Sequence, residues 1–383
     1  MNKTLLLTLF LALGILSGTA LCKAQNTVES SQILTIQSKI LSEERVMLVQ
    51  LPEGYASNEV SYPVLFLLDG NTHFQHAVAA TDYLNRLGEI PPMIVVALTN
   101  TDRNRNFLPT HTGAIPTSGE ANKFQQFLKE ELIPRIEQEF RAAPYRILMG
   151  HSFGGTFATF TFLTQPELFE AYLAFSPVIH YDNSYLLGMA KAGQTPEKQG
   201  NKNFFMTVGN EPNYYEAHNT FDSLMKQQNS INYCYLKMPD ENHGSIPYVS
   251  LYRGLRFVYS DWRLPQEFQQ KDLATLDAYY AKLSKKYGYP IHTPENIINM
   301  LGYRYLQAGD IKTALLTFIE NSKRYPGSSN VFDSLGEAYE QNKEWDKARD
   351  CYEKAYTLGK LTNHPNTALY KANLDRVSEQ LKK

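Results

Sequence analysis

Cysteine is scarce in this chain, 3 in 383 residues, and none pairs with histidine at the spacing of a zinc site. Cys22 falls in the leader described below, so Cys234 and Cys351 remain, far apart in the chain. Such a pair is no disulfide framework, and free, partly buried thiols are the expected state. An excess of one charge is also missing, with 37 Lys+Arg against 39 Asp+Glu and a net charge of −2. No run of lysines or basic stretch argues for nucleic acid or an anionic surface. The one long apolar run, Leu5 to Leu16, is short for a full bilayer crossing. Nothing here implies a metal or another cofactor.

That run follows a basic start, Met1-Asn2-Lys3, and precedes the small residues Ser17, Gly18, Thr19 and Ala20. The pattern is that of a secretory signal peptide over residues 1–24, cleaved after Ala24. It predicts a periplasmic or secreted protein with no membrane span after processing. Loss of Lys3 and Lys23, with no acidic residue, moves the formal charge from −2 to −4. Cys22 invites a lipoprotein reading, but Leu21 stands where a small residue is expected before a lipidated cysteine.

The mature chain exceeds the usual size of one domain. Residues 25–262 alternate short apolar runs with helical or loop segments. Strands are expected at Arg45–Leu51, Val64–Leu68, Met93–Leu98, Arg146–Met149, Tyr172–Phe175, Phe204–Val208 and Tyr233–Lys237. Several are continuously apolar, as strands covered on both faces should be. Helices are expected between them, at His76–Leu87, Asn122–Phe140 and Asn219–Gln228. The fold class is therefore α/β, a mostly parallel sheet covered by helices.

From about Leu264 the pattern is helical only. Residues 263–293 form a linker, with a long helix expected at Glu267–Tyr287, and residues 294–383 carry an internal repeat. Leu301-Gly302-Tyr303-Arg304-Tyr305 lies 34 residues before Leu335-Gly336-Glu337-Ala338-Tyr339, and at the same offset Ala314 matches Ala348 and Phe318 matches Tyr352. This period and residue order resemble tetratricopeptide repeats, pairs of antiparallel helices. Two repeats are few for an independent array, so packing, homodimerisation or docking of a protein partner is their expected use.

The chemistry concentrates in Gly150-His151-Ser152-Phe153-Gly154, set between the apolar run ending at Met149 and a helical segment. Strand, sharp turn and helix around Gly-x-Ser-x-Gly make a nucleophile elbow, with Ser152 as nucleophile. A serine hydroxyl needs a base, and the base needs a carboxylate to hold its tautomer. His243, in the polar loop Asp240-Glu241-Asn242-His243-Gly244-Ser245 after the last strand run, is the expected base. Glu211, in Gly209-Asn210-Glu211-Pro212 after the preceding strand, is the expected acid, with Glu216, Asp222 and Asp240 as competitors. His73, His76, His111, His180 and His218 are candidates to line the cleft. Oxyanion donors are expected from the backbone N–H of Phe153 and that of Asn71 or Gly70, on the loop after the central strand. Asp69 precedes the serine in the chain and is read as a loop brace.

Tyr62 to Asn71 and Arg146 to Gly155, together with Asp102-Arg103-Asn104-Arg105 and Pro109-Thr110, resemble the esterase D branch of the α/β-hydrolases, especially its siderophore-esterase-like members. The likeness spans about residues 38–260. It implies a serine esterase acting through Ser152 and His243 on an ester substrate of siderophore, feruloyl or acetyl type, or an acyltransferase. The identity and placement of the third triad member vary among such enzymes, and here the expected one is Glu211. Arg103 and Arg105 are candidates to bind a carboxylate or an anionic ferric siderophore, and Tyr214 and Tyr215 to stack on a phenolic acyl group. The reading from a different class is a silent α/β scaffold that binds partners through its helical repeats.

Overall fold

The computed structural model describes residues 31–192, 202–228, 230–268 and 270–382. The expected leader and Cys22 lie outside them. The strands are β1 Gln32–Ser38, β2 Glu43–Gln50, β3 Tyr62–Leu67, β4 Ile94–Leu98, β5 Ala142–His151, β6 Ala171–Phe175, β7 Asn203–Val208 and β8 Asn232–Lys237. They form one sheet in the order β1-β2-β4-β3-β5-β6-β7-β8. β1 and β2 are antiparallel to their neighbours and the remaining strands run parallel. The sequence reading omits β1. That strand is largely exposed, with only Leu34 and Ser38 buried and four of its seven residues polar, so it lacks the continuous apolar signature of β3, β4, β6 and β7, which are buried throughout.

Helices α1 Gly70–Arg86, α2 Arg103–Phe107, α3 Ala121–Phe127, α4 Ile133–Glu139, α5 Phe153–Thr164, α6 Tyr181–Lys191, α7 Pro212–Met225 and α8 Ile246–Val258 connect the strands. The side chains of β5 show how the sheet divides them. Leu148 faces the core shared with α3, α5 and α7, whereas Ile147 and Met149 face the core shared with α1 and α8. The predicted helix over 122–140 is broken into α3 and α4 by a π-helical turn at Leu128–Leu132. Two other helices start well before the apolar periodicity does: α1 at Gly70 and α7 at Pro212. They open Gly-Asn-Thr-His and Pro-Asn-Tyr-Tyr, first turns without the apolar period that marks the rest of each helix.

The chain passes from β3 to β4 on one side and then to β5 on the other. The order therefore reverses about β3, and a crevice opens at the carboxyl ends of β3 and β5.

Six further helices follow: α9 Leu273–Tyr287, α10 Glu295–Gln307, α11 Ile311–Arg324, α12 Ser329–Gln341, α13 Trp345–Thr362 and α14 Thr367–Gln380. α9 starts later than the sequence pattern implies, because Asp272 caps it by accepting from the Thr275 N–H at 2.9 Å. Gly288, with φ 75°, ends it in the left-handed conformation. Tyr280, Leu283 and Tyr287 of α9 are buried in the same core as α1 and α8. Tyr287 packs edge-on against Tyr145 at 5.1 Å and beside Tyr259 at 5.2 Å, and its hydroxyl donates to Asp261 at 2.6 Å. Tyr145 lies near the start of β5 and Tyr259 just beyond α8, so the helical region is anchored at the strand end opposite Ser152.

In α10 to α13 the 34-residue repeat acts on packing. A Cβ on Gly302 would stand 2.6 Å from the Phe318 ring, and one on Gly336 would stand 2.8 Å from the Tyr352 ring. Each glycine admits the aromatic of the following helix, and both aromatics are fully buried. Cys234 and Cys351 are free thiols.

Candidate active site

β5 ends at His151, and Ser152 turns the chain into α5 with φ 59° and ψ −120°. An L-residue is strained there. The turn is held by the Ser152 N–H, which donates to the Phe175 carbonyl at 2.9 Å. The flanking glycines are steric requirements, since a Cβ on Gly150 would run into the Gly154 carbonyl and one on Gly155 would sit 3.0 Å from the Phe175 carbonyl. Asp69, after β3, and Ser176, after β6, also have positive φ, 54° and 39°. Three strained non-glycine residues thus share the carboxyl edge of the sheet, each costing about 1–3 kcal/mol.

The loops after β7 and β8 meet because Gly209 has no side chain. A Cβ there would lie 2.7 Å from the Glu241 carbonyl, and the Asn210 N–H donates to that same carbonyl at 2.7 Å. This juxtaposition brings Glu211 Oε1 to 2.5 Å from His243 Nδ1. The other carboxylate oxygen accepts from the Ser176 hydroxyl at 2.5 Å and from the Gly209 N–H at 3.0 Å. Burial by itself would raise the Glu211 carboxyl, but the bonds from His243, Ser176 and Gly209 outweigh it and hold it below the ordinary range. The Glu211 side chain is 9% exposed and that of His243 41%, so the carboxylate is enclosed while the imidazole faces outward. With Nδ1 donating to Glu211, Nε2 carries the lone pair. The His243 ring lies 4.5 Å from that of His151, the residue before the elbow serine. Ser176 is absent from the sequence reading. Its only signal is its place at the end of an apolar strand, before Pro177.

Asp69 precedes α1, whose first residues Gly70 and Asn71 carry N–H groups that no intrahelical carbonyl can reach. Phe153 opens α5 in the same way. The two helix starts are in contact, since a Cβ on Gly154 would lie 3.1 Å from Asp69 Oδ2. The Asp69 carboxylate accepts from Arg103 Nε at 2.7 Å and Nη2 at 3.0 Å, and from Asn100 Nδ2 at 2.7 Å. Arg103 Nη2 also donates to the His151 carbonyl at 3.0 Å. Arg103 thereby ties the loop after β3 to the elbow.

The remaining sequence candidates divide. Arg105 is engaged by Glu43 at 2.7 Å and Asn106 at 3.0 Å, on the side of β2. Tyr214 belongs to an apolar cluster with Leu108, Ile115, Phe153, Val178 and Tyr181, and its ring is 5.9 Å from that of His243. The Tyr215 hydroxyl instead donates to the Gly209 carbonyl at 3.0 Å. His73 and His76 stack edge-on in a file leading to His151, at 5.0 and 5.6 Å between rings. His180 packs on Tyr214 at 4.7 Å, while His218 is buried beneath it. His111 is exposed and near the Ser118 carbonyl. Among the competing carboxylates, Asp222 pairs with Lys226 at 2.8 Å, and Glu216 and Asp240 are exposed. No group of three or more His, Cys, Asp or Glu among the described residues has the geometry to hold a metal ion, and none of the described helices is long and apolar enough to cross a membrane.

Known proteins share this arrangement of elements. Ferri-bacillibactin esterase BesA of Bacillus subtilis is 28% identical over 229 residues, covering 51% of this chain and 78% of the relative. The crystal structure of an IroE-like serine hydrolase from Shewanella oneidensis superposes with a TM-score of 0.66 at 26% identity, covering 73% of this chain and 95% of that one. An uncharacterised protein from Capnocytophaga ochracea covers 91% of this chain and 100% of its own with a TM-score of 0.60. At 17% identity that likeness concerns the fold alone, and it extends over the helical region. The Esterase family model matches residues 38–231, half of the chain, including the loop after β3, the elbow and Glu211. The chain belongs to the Esterase family.

Proposed function

We propose that this protein is a serine carboxylic-ester hydrolase that works through an acyl-enzyme on siderophore-type esters. The observation that carries the reading is the Glu211–His243 contact of 2.5 Å beside the strained elbow at Ser152. In this mechanism Ser152 Oγ attacks the ester carbonyl and gives its proton to His243 Nε2. Glu211 stabilises the imidazolium that forms, without taking the proton itself. The N–H groups of Phe153 and of Gly70 or Asn71 receive the oxyanion. His243 then protonates the leaving alcohol, and the same steps run with water release the acid. The siderophore assignment is supported by likeness to ferri-bacillibactin esterase and, over a shorter stretch, to an apo-salmochelin esterase of Escherichia coli, 30% identical over 149 residues. The aromatic wall of Phe153, Tyr181 and Tyr214 suits a phenolic acyl group.

Export through residues 1–24 belongs to the same proposal, as does a tetratricopeptide-like role for the glycine–aromatic helix pairs in packing or partner docking. The test is hydrolysis of p-nitrophenyl butyrate and labelling by a fluorophosphonate, with wild type and Ser152→Ala side by side. Activity and labelling that vanish together in Ser152→Ala are expected. A folded wild type that neither turns over nor labels would refute the proposal.

A further inference from the structure

We infer that this protein forms a two-fold dimer in which the open β8 edge of its sheet pairs, antiparallel, with β8 of a second copy. Association of this kind is independent of the esterase reading above.

β8 is the last strand of the sheet and is bonded to β7 alone. The two run in continuous parallel register from Asn203↔Asn232 to Val208↔Lys237, without a bulge. The Asn232 N–H donates to the Lys202 carbonyl and the Met238 N–H to the Val208 carbonyl, each at 2.8 Å. Every second residue of a parallel ladder bonds inward, so Cys234 and Leu236 do the same. The N–H and C=O groups of Tyr233, Tyr235 and Lys237 therefore point out of the sheet, where no further strand stands among the described residues. Edge strands are usually blunted by proline, bulges or charge. Residues 232–236 carry none of these, and the run Tyr233-Cys234-Tyr235-Leu236 is left half-buried. At the opposite edge β1 is largely exposed, with four of its seven residues polar.

A second copy is the occupant because this edge complements itself. Tyr233, Tyr235 and Lys237 share the sheet face covered by α7. Tyr235 stacks on His218 at 6.1 Å, and the Lys237 ammonium lies 5.1 Å from the centre of the Tyr215 ring. Asp222, one turn beyond His218, lies beside Tyr233, whose phenol is pushed up by burial and by that carboxylate. The row thus carries a cation at one end and a carboxylate at the other, with Tyr235 midway. A two-fold axis at Tyr235 sets this residue opposite its own copy and Tyr233 opposite Lys237 of the second copy. Both backbone hydrogen bonds are then exchanged at Tyr235, and each Lys237 meets the Asp222 of the other copy. Within the chain Asp222 pairs with Lys226 at 2.8 Å, but that lysine is 67% exposed and the pair is correspondingly weak. On the other face Cys234 meets Leu236 of the second copy, beside a hollow lined by Phe205 and Phe257. Shifting the register by two residues sets Lys237 opposite Tyr235 or beyond the strand end, and loses the charge match.

The test is sedimentation velocity of the purified protein from about 1 to about 100 μM, where a concentration-dependent dimer is expected. Tyr235→Pro removes an outward N–H that the sheet does not use. By symmetry it deletes two hydrogen bonds between copies, and it should raise the dimer Kd at least about tenfold. Lys237→Glu sets carboxylate against carboxylate twice and should weaken the dimer by at least about as much, less so in high salt. It is a surface change, so it decides the matter if circular dichroism shows that Tyr235→Pro does not fold. In a Cys234→Ser, Cys351→Ser background, Tyr235→Cys should give a disulfide-linked dimer on oxidation, since facing Cα atoms in such a pair stand about 5.5 Å apart. A wild type still monomeric at about 100 μM would overturn the inference. So would a dimer that both substitutions leave intact, or that Tyr235→Cys fails to trap, because its interface would then lie elsewhere.

Discussion

Replacing Glu211 by glutamine tests the proposed triad most severely, because the surroundings dictate how the amide must sit. Two donors, the Ser176 hydroxyl and the Gly209 N–H, point at Oε2. The glutamine oxygen must take that position, which turns its NH2 toward His243 Nδ1. An NH2 group can only donate there, so Nδ1 becomes the acceptor and the ring proton moves to Nε2. A base with its proton on Nε2 cannot accept one from Ser152. The substitution also removes a charge-assisted hydrogen bond to the imidazolium, about 1.5–3 kcal/mol. With the tautomer penalty the loss of transition-state stabilisation comes to about 3–5 kcal/mol, or about 10²–10⁴ in kcat. The assay is steady-state hydrolysis of p-nitrophenyl butyrate at pH 8, with circular dichroism to confirm the fold. KM should change little, since Glu211 is enclosed behind the base. A folded Glu211→Gln enzyme within about threefold of wild-type kcat would refute the argument and return the acid to Glu216, Asp222 or Asp240.

Glu211 also gives the protein a pH-dependent stability. Its folded carboxyl is held below its ordinary value of 4.5, so its contribution is present above that value and is lost as pH falls through the folded one. The melting temperature of wild type relative to Glu211→Gln should therefore be highest near neutrality and converge in acid, as thermal melts between pH 7 and pH 3 would register. Tyr287→Ala removes a ring packed on Tyr145 and Tyr259 and a hydroxyl bonded to Asp261, and should cost about 3–5 kcal/mol. Because this cluster lies at the strand end opposite Ser152, kcat/KM of the protein still folded should stay unchanged in assays well below the melt. Gly336→Ala places a Cβ 2.8 Å from the Tyr352 ring and should destabilise by about 1–3 kcal/mol in denaturant titration, against no change for an alanine at the exposed Gln341.

Much of the fold was legible because local pattern carried it. The continuous apolar runs at Val64–Leu68, Phe204–Val208 and the rest announced strands covered on both faces, and the glycines around Ser152 announced a turn too tight for side chains. The 34-residue period appeared in the sequence as Leu-Gly and aromatic matches, and in space as a glycine admitting a ring. What remained hidden had no local signature. β1 is a largely exposed edge strand with four polar residues in seven, and the helix starts at Gly70 and Pro212 carry no apolar period.

By itself the sequence determined the residue types available for chemistry and their order along the chain: Ser152, Glu211, His243. Only the tertiary structure decided which of them meet. A carboxylate on a loop can pair with anything its neighbours allow, and it was the close approach of Gly209 to the Glu241 carbonyl that delivered Glu211 to His243. The same holds in reverse for Arg103 and Arg105, which as letters promise a binding site for anions. Folding brings Asp69 and Glu43 against them, so part of each guanidinium is spent within the protein and only its remaining N–H groups can meet a ligand.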